Sequence, residues 1–147
     1  MDKHLTMENQ VNSICNRLQR IQNTAARIVS RVGKHTSVTR LCKDLHWLPI
    51  RARIEYKILI LVFRAINSGT PSYLSGIVKH QSRNRPVRSH HLHQLQTPAS
   101  NTKAYGDRCF FYAAPRLWNA LPPSLRCIDQ LELFKHHLKT FLFSSCY

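Results

Sequence analysis

Carboxylates are the scarcest chemistry in this chain: 7 Asp and Glu stand against 22 Lys and Arg in 147 residues. They are Asp2, Glu8, Asp44, Glu55, Asp107, Asp129 and Glu132, scattered singly with no adjacent pair. Enzymes that work through two metal ions need several carboxylates converging on one pocket, so a metal-dependent active site is not expected. Glycine is scarce as well. Gly33, Gly69, Gly76 and Gly106 lie too far apart to build a glycine-rich phosphate loop. The five cysteines, Cys15, Cys42, Cys109, Cys127 and Cys146, are odd in number and contain no C-x-x-C pair. That excludes a disulfide framework and a zinc ribbon, and it fits a reducing compartment. The longest uninterrupted apolar run is 58–63, far short of the roughly 20 residues that span a bilayer. The first ten residues hold no continuous apolar stretch, so no secretory leader is expected. The expected location is intracellular, cytoplasmic or nuclear, with no membrane contact.

What is present points to one modest core. Apolar residues make up 43% of the chain, with six Phe, five Tyr and two Trp, enough to bury against chain entropy within a single domain. The formal net charge is +15. Such an imbalance repels itself and is tolerated where a polyanion neutralises it, so an RNA or DNA backbone is the expected partner. The bland alternative is a surface that is simply well solvated.

Along the chain, Val11, Ile14, Leu18, Ile21, Ala25, Ile28 and Val32 recur at steps of three and four. That spacing predicts one stripe of a helix ending near Gly33. Arg20, Arg27, Arg31 and Lys34 fall on its far side, giving one apolar and one basic face, with no acid from residue 9 to residue 43. Thr36 or Ser37 caps a second helix carrying Val38, Leu41, Cys42 and Leu45, which must stop before Pro49. Pro49 suits the first turn of a third helix closed by Ser68-Gly69. Its centre, 58–63, is apolar nearly all round, and Arg53, Lys57 and Arg64 share one stripe.

A short turn of helix follows at Pro71-Ser72-Tyr73-Leu74. Between residues 79 and 106 come Lys79, Arg83, Arg85, Arg88 and Lys103, four histidines and no acid, which reads as a basic linker. Two extended pieces, 92–96 and 109–112, can pair as a small hairpin, with coil as the alternative. Pro122-Pro123 halts a short helix or turn over 116–121, anchored by Trp118. Asp129 is expected to cap a last helix with Leu131, Phe134, Leu138, Phe141 and Leu142 on one face, fraying after Phe143.

His90-His91-x-His93 is the only group of three histidines, and alternate strand positions would turn two to one side. That leaves too few ligands, even with Cys109 and Cys127 nearby in sequence. Five cysteines and nine histidines permit many imagined nucleophile–base pairs, and abundance is not evidence for one. No catalytic residue, metal, cofactor or small-molecule substrate is therefore expected. Trp47, Tyr56, Tyr105 and Phe111 could stack on bases, although Trp47 and Trp118 read better as core.

The order of the segments carries a resemblance. Residues 18–29 read Leu-Gln-Arg-Ile-Gln-Asn-Thr-Ala-Ala-Arg-Ile-Val, 45–50 Leu-His-Trp-Leu-Pro-Ile, and 53–58 Arg-Ile-Glu-Tyr-Lys-Ile. Then come 69–74 Gly-Thr-Pro-Ser-Tyr-Leu, 105–108 Tyr-Gly-Asp-Arg, 113–122 Ala-Ala-Pro-Arg-Leu-Trp-Asn-Ala-Leu-Pro, and 134–139 Phe-Lys-His-His-Leu-Lys. This series resembles the region downstream of the polymerase palm in LINE-type, non-LTR retrotransposon reverse transcriptases, from about residue 14 to residue 143. The resemblance implies RNA-templated DNA synthesis by the parent protein, with an upstream endonuclease and palm supplying the catalytic carboxylates. No catalytic residue of that family carries over to this stretch, and the zinc knuckle of some relatives is absent from it. It implies a thumb-like helical module that helps to hold template, primer or target.

The expected architecture is mainly α: a flexible stretch 1–10, a helical module 11–78, the basic linker 79–106, and a small part 107–143 packing back through Trp118, Phe134 and Leu138. The expected function is non-catalytic phosphate-backbone binding through Arg20, Arg27, Arg31 and Lys34, then Arg53, Lys57, Arg83, Arg85 and Arg88. The alternatives are a module docking on the polymerase body of the parent protein, and a decayed remnant without selected function.

Overall fold

The computed structural model describes residues 3–79, 93–98 and 110–147, and it is mainly α, with no strand among them. In chain order the helices are α1 (Lys3–Val29), α2 (Val38–Asp44), α3 (Ile50–Asn67), α4 (Ser72–Ser75), α5 (Phe110–Asn119), α6 (Pro123–Arg126) and α7 (Leu131–Cys146). They form two compact units. One comprises Met1–Ile54 with Lys139–Tyr147, the other Glu55–Leu138. The boundaries fall inside α3 and α7 rather than at the expected basic linker, most of which lies outside the described residues.

In the first unit α1 packs along α2, and its length differs from expectation at both ends. It starts at Lys3, so residues 3–10 are helical where a flexible stretch was expected. No Gly or Pro occurs in residues 1–32 to stop it, and hydrophobic spacing alone does not mark where a helix begins. It ends at Val29 because Arg31 takes up a left-handed backbone, φ 52°. Arg31 N–H then donates to Ile28 C=O and Val32 N–H to Arg27 C=O, the paired closure of a Schellman motif. α2 ends the same way. His46 has φ 54°, its N–H donates to Lys43 C=O, and Trp47 N–H donates to Cys42 C=O.

Both closures turn an apolar residue inward. Val32 and Trp47, each one place past its left-handed residue, pack against the buried cluster of Ala26, Leu41 and Cys42. Ser37 stands at the N-cap of α2, as its sequence position predicted, but its side chain makes no capping hydrogen bond. The end of α7 completes this unit. Phe143 stacks on the His46 ring at 5.5 Å, and Tyr147 donates from its hydroxyl to Trp47 C=O at 2.8 Å. The chain beyond Phe143 is therefore helical and held, not frayed.

The second unit is built on the apolar middle of α3, where Leu59, Val62, Phe63 and Ala65 are buried. Phe63 stacks on Phe134 at 4.5 Å, and Trp118 lies 5.7 Å from the same ring. Gly69, at φ 61°, closes α3 where Ser68-Gly69 was expected to, and the Thr70–Pro71 peptide is cis. The hairpin expected from 92–96 and 109–112 does not form, because Phe110 to Tyr112 open α5. Leu92 and Cys109 lie outside the described residues.

The backbone around Leu95 finds other partners. Asn119 accepts from Leu95 N–H and donates to Leu95 C=O, both at 2.8 Å, and Gln96 N–H donates to Lys79 C=O at 2.9 Å. Trp118 Nε1 donates to His93 C=O at 2.7 Å. A carboxamide thus stands where a neighbouring strand would. Pro122-Pro123, expected only to halt a helix, also starts α6, with Pro123 in its first turn. Asp129 does not cap α7: that helix begins at Leu131, and Phe134 N–H bonds to Gln130 C=O. The apolar face of α7 is as expected, with Phe134, Leu138 and Leu142 buried.

Candidate nucleic-acid interface

The charge is shared by both units, with 11 Lys and Arg against 3 Asp and Glu in the first and 11 against 4 in the second. Among the described side chains of the first unit are ten cations, Arg17, Arg20, Arg27, Arg31, Lys34, Arg40, Lys43, Arg51, Arg53 and Lys139, and one carboxylate, Asp44. Nine of the ten are exposed, and Arg27 is half-buried. None of them forms an ion pair among the described residues. Exposed cations left without carboxylates keep their full attraction for an external polyanion.

The four first-choice residues do not share one helical face as the wheel had them. Arg20 and Arg27 are both on α1, seven residues apart, so they differ by only about 20° around the axis. Arg17, which the spacing argument passed over, is exposed beside them. Arg31 and Lys34 lie beyond the helix end, where the left-handed Arg31 has already redirected the chain.

Arg27 holds a guanidinium N–H, on Nε, that is buried without an acceptor. Arg53 is exposed but tethered, its Nε donating to Leu48 C=O at 3.1 Å. Lys57 is exposed on the second unit. Arg83, Arg85 and Arg88 lie outside the described residues.

The inward side of α1 carries polar side chains. Gln22 is buried and donates to Leu48 C=O at 2.8 Å, while Gln19 accepts from Ile50 N–H at 2.9 Å. Asn12 accepts from the Arg51 guanidinium at 3.0 Å. The two glutamines thus satisfy Leu48 C=O and Ile50 N–H, backbone groups at the start of α3 that the helix itself does not pair. A pattern search for apolar periodicity cannot find such a face.

A cleft of about 410 Å³ opens in the first unit, lined in part by Cys15, Asn16, Gln19, Thr39, Cys42 and Arg51. Cys146 also lines it, yet no three His, Cys, Asp or Glu side chains converge as a metal site among the described residues. Tyr147 on its wall has its hydroxyl pKa pushed up to about 12, first by burial and then by the Cys42 and Cys146 thiols, with Arg53 opposing.

Of the aromatics considered for stacking, Trp47 packs on the core, Tyr56 is half-buried, and Phe111 is partly exposed and edge-on to Tyr112 at 5.1 Å. Tyr105, His90 and His91 lie outside the described residues. No helix among the described residues is long and apolar enough to cross a membrane. No protein-family model, curated protein or solved structure matches the chain.

Proposed function

We propose that this chain is a non-catalytic, nucleic-acid-binding part of a LINE-type reverse transcriptase, and that its first unit holds template, primer or target by phosphate contacts. The observation that carries the reading is a set of nine exposed cations on that unit, none of them in an ion pair among the described residues. Cations so placed neutralise phosphates and release counterions, which makes affinity fall steeply with salt. The ordered sequence blocks support the parentage, and the scattered carboxylates support a binding rather than a catalytic role.

The test is binding of the purified chain to single- and double-stranded RNA and DNA across a salt series. The comparison is a variant with Arg17, Arg20 and Lys34 changed to Gln, three exposed cations that make no ion pair among the described residues. The expected slope of log affinity on log salt is about 0.9 per phosphate on duplex DNA, reduced in the variant by up to about 2.7 if each cation meets one phosphate. Absence of binding at moderate salt, or an unchanged slope in the variant, sinks this reading.

A second reading, a module that docks on the polymerase body of the parent protein, draws on a different observation. The apolar stripe of α1 is exposed, not packed.

A further inference from the structure

On α1, Val11, Ile14, Leu18, Ile21 and Ile28 are each between 42% and 70% exposed. These residues and Ala25 keep an alternating three-and-four spacing from 11 to 28, the a and d positions of successive heptads and the seam of a two-helix coiled coil. The helix does not need this seam for its own fold. It packs instead through Gln22 and Ala26, with Asn12 and Gln19 hydrogen-bonded to the 50–51 corner. At 100° per residue this packed face lies about 120° around the axis from the seam.

The flank of the seam states the chemistry of what covers it. Arg17 occupies the position beside the seam that normally meets a partner's charge, while Arg20 and Arg27 lie farther round, about 130–150° from the seam. No described residue of α1 from 9 to 29 is acidic. A second copy of the chain would bring like charge to like, at +15 each. A bilayer surface is a poorer match, because residues 1–32 contain no Trp, Tyr or Phe, the residues that commonly seat amphipathic helices in the headgroup layer.

We infer that the Val11–Ile28 stripe is a docking surface for an acidic amphipathic helix of a partner protein or domain, paired along α1 with a carboxylate opposite Arg17. The inference rests on the docking reading above and is independent of phosphate binding. Its test therefore leaves every cation in place.

The probe is a labelled peptide of about three heptads with Ile and Leu at its seam and Glu on the flanks, beside the same peptide with Lys flanks. The full chain is titrated against each, together with an Ile14→Ser, Ile21→Ser double variant whose circular dichroism and Tm should match the unsubstituted chain. The expected result is saturable binding of the Glu peptide only, weakened about a hundredfold in the double variant through the loss of two buried isoleucines. Three results overturn it: no binding of the Glu peptide, equal binding of the Lys peptide, or binding unchanged by the double substitution. Seam-dependent self-association by light scattering, or seam-dependent flotation with anionic vesicles without peptide binding, also overturns it, assigning the surface to a second copy or to lipid.

Discussion

Two helices, α1 and α2, end on a side chain where glycine is the ordinary choice, and each has the same task. Arg31 and His46 adopt left-handed backbone at helix ends and turn Val32 and Trp47 into the cluster around Ala26. A left-handed conformation costs a residue with a Cβ on the order of 1–2 kcal/mol, against roughly 0.5–1 kcal/mol of extra chain entropy lost by glycine. Arg31→Gly should therefore raise stability by about 0.5 kcal/mol, whereas Arg20→Gly inside α1 should lower it by about 1 kcal/mol. Thermal unfolding of the two variants reads the opposite signs, and a loss of stability in both would show that Arg31 earns its place through contacts.

Arg27 offers a second residue-scale test. Its buried Nε–H has no acceptor, so Arg27→Met should leave the free protein at least as stable, because an unpaired buried polar group is removed. The same variant should show a shallower salt dependence of nucleic-acid binding.

Tyr147 fixes an alkaline limit. Its phenol donates to Trp47 C=O, and burial raises its pKa from 10.0 to about 12. The protonated form is the one the fold favours, so its contribution is complete below the unfolded pKa and is lost as pH rises through the folded one. Stability should fall between about pH 10 and pH 12, and Tyr147→Phe should flatten that limb in a urea titration, relative to the unsubstituted chain.

At the scale of elements, Trp118 and Asn119 tie α5 to the segment around Leu95. Leu95 is buried, and both its backbone groups bond to the Asn119 carboxamide. Asn119→Ala strands a buried N–H and should cost about 2 kcal/mol, a fall in Tm of roughly 6 °C for a chain of this size. Loss of less than half that amount would mean water replaces the amide. Asn119 was inside a recognised sequence block, but nothing in its neighbours told that it would bond a segment 24 residues upstream.

α1 teaches the complementary lesson. Its spacing gave the right helix but did not say which face is buried, because the corner at residues 48–51 presents backbone polar groups that amides satisfy and isoleucines cannot. Helix existence follows from local periodicity, but the choice of buried face depends on what arrives from elsewhere in the chain.

For the whole molecule, charge is the dominant quantity. A formal +15 is the full excess of 22 Lys and Arg over 7 Asp and Glu, and each unit holds 11 of the cations. The proposed salt dependence and the proposed acidic partner both draw on it, through phosphates in one case and carboxylates in the other.

Composition and period settled by themselves the mainly α class, the approximate spans of α2, α3 and α7 and the Gly69 stop, since each rests on neighbours within a few residues; the burial of Trp118 followed from its large apolar surface. Only the tertiary structure decided that α1 buries its amides and exposes its heptad seam, that Arg31 rather than Gly33 ends α1, and that Tyr147 is held. Those outcomes depend on hydrogen bonds and packing between residues up to 100 positions apart, and a one-dimensional pattern carries no record of which unsatisfied backbone group a distant side chain will meet.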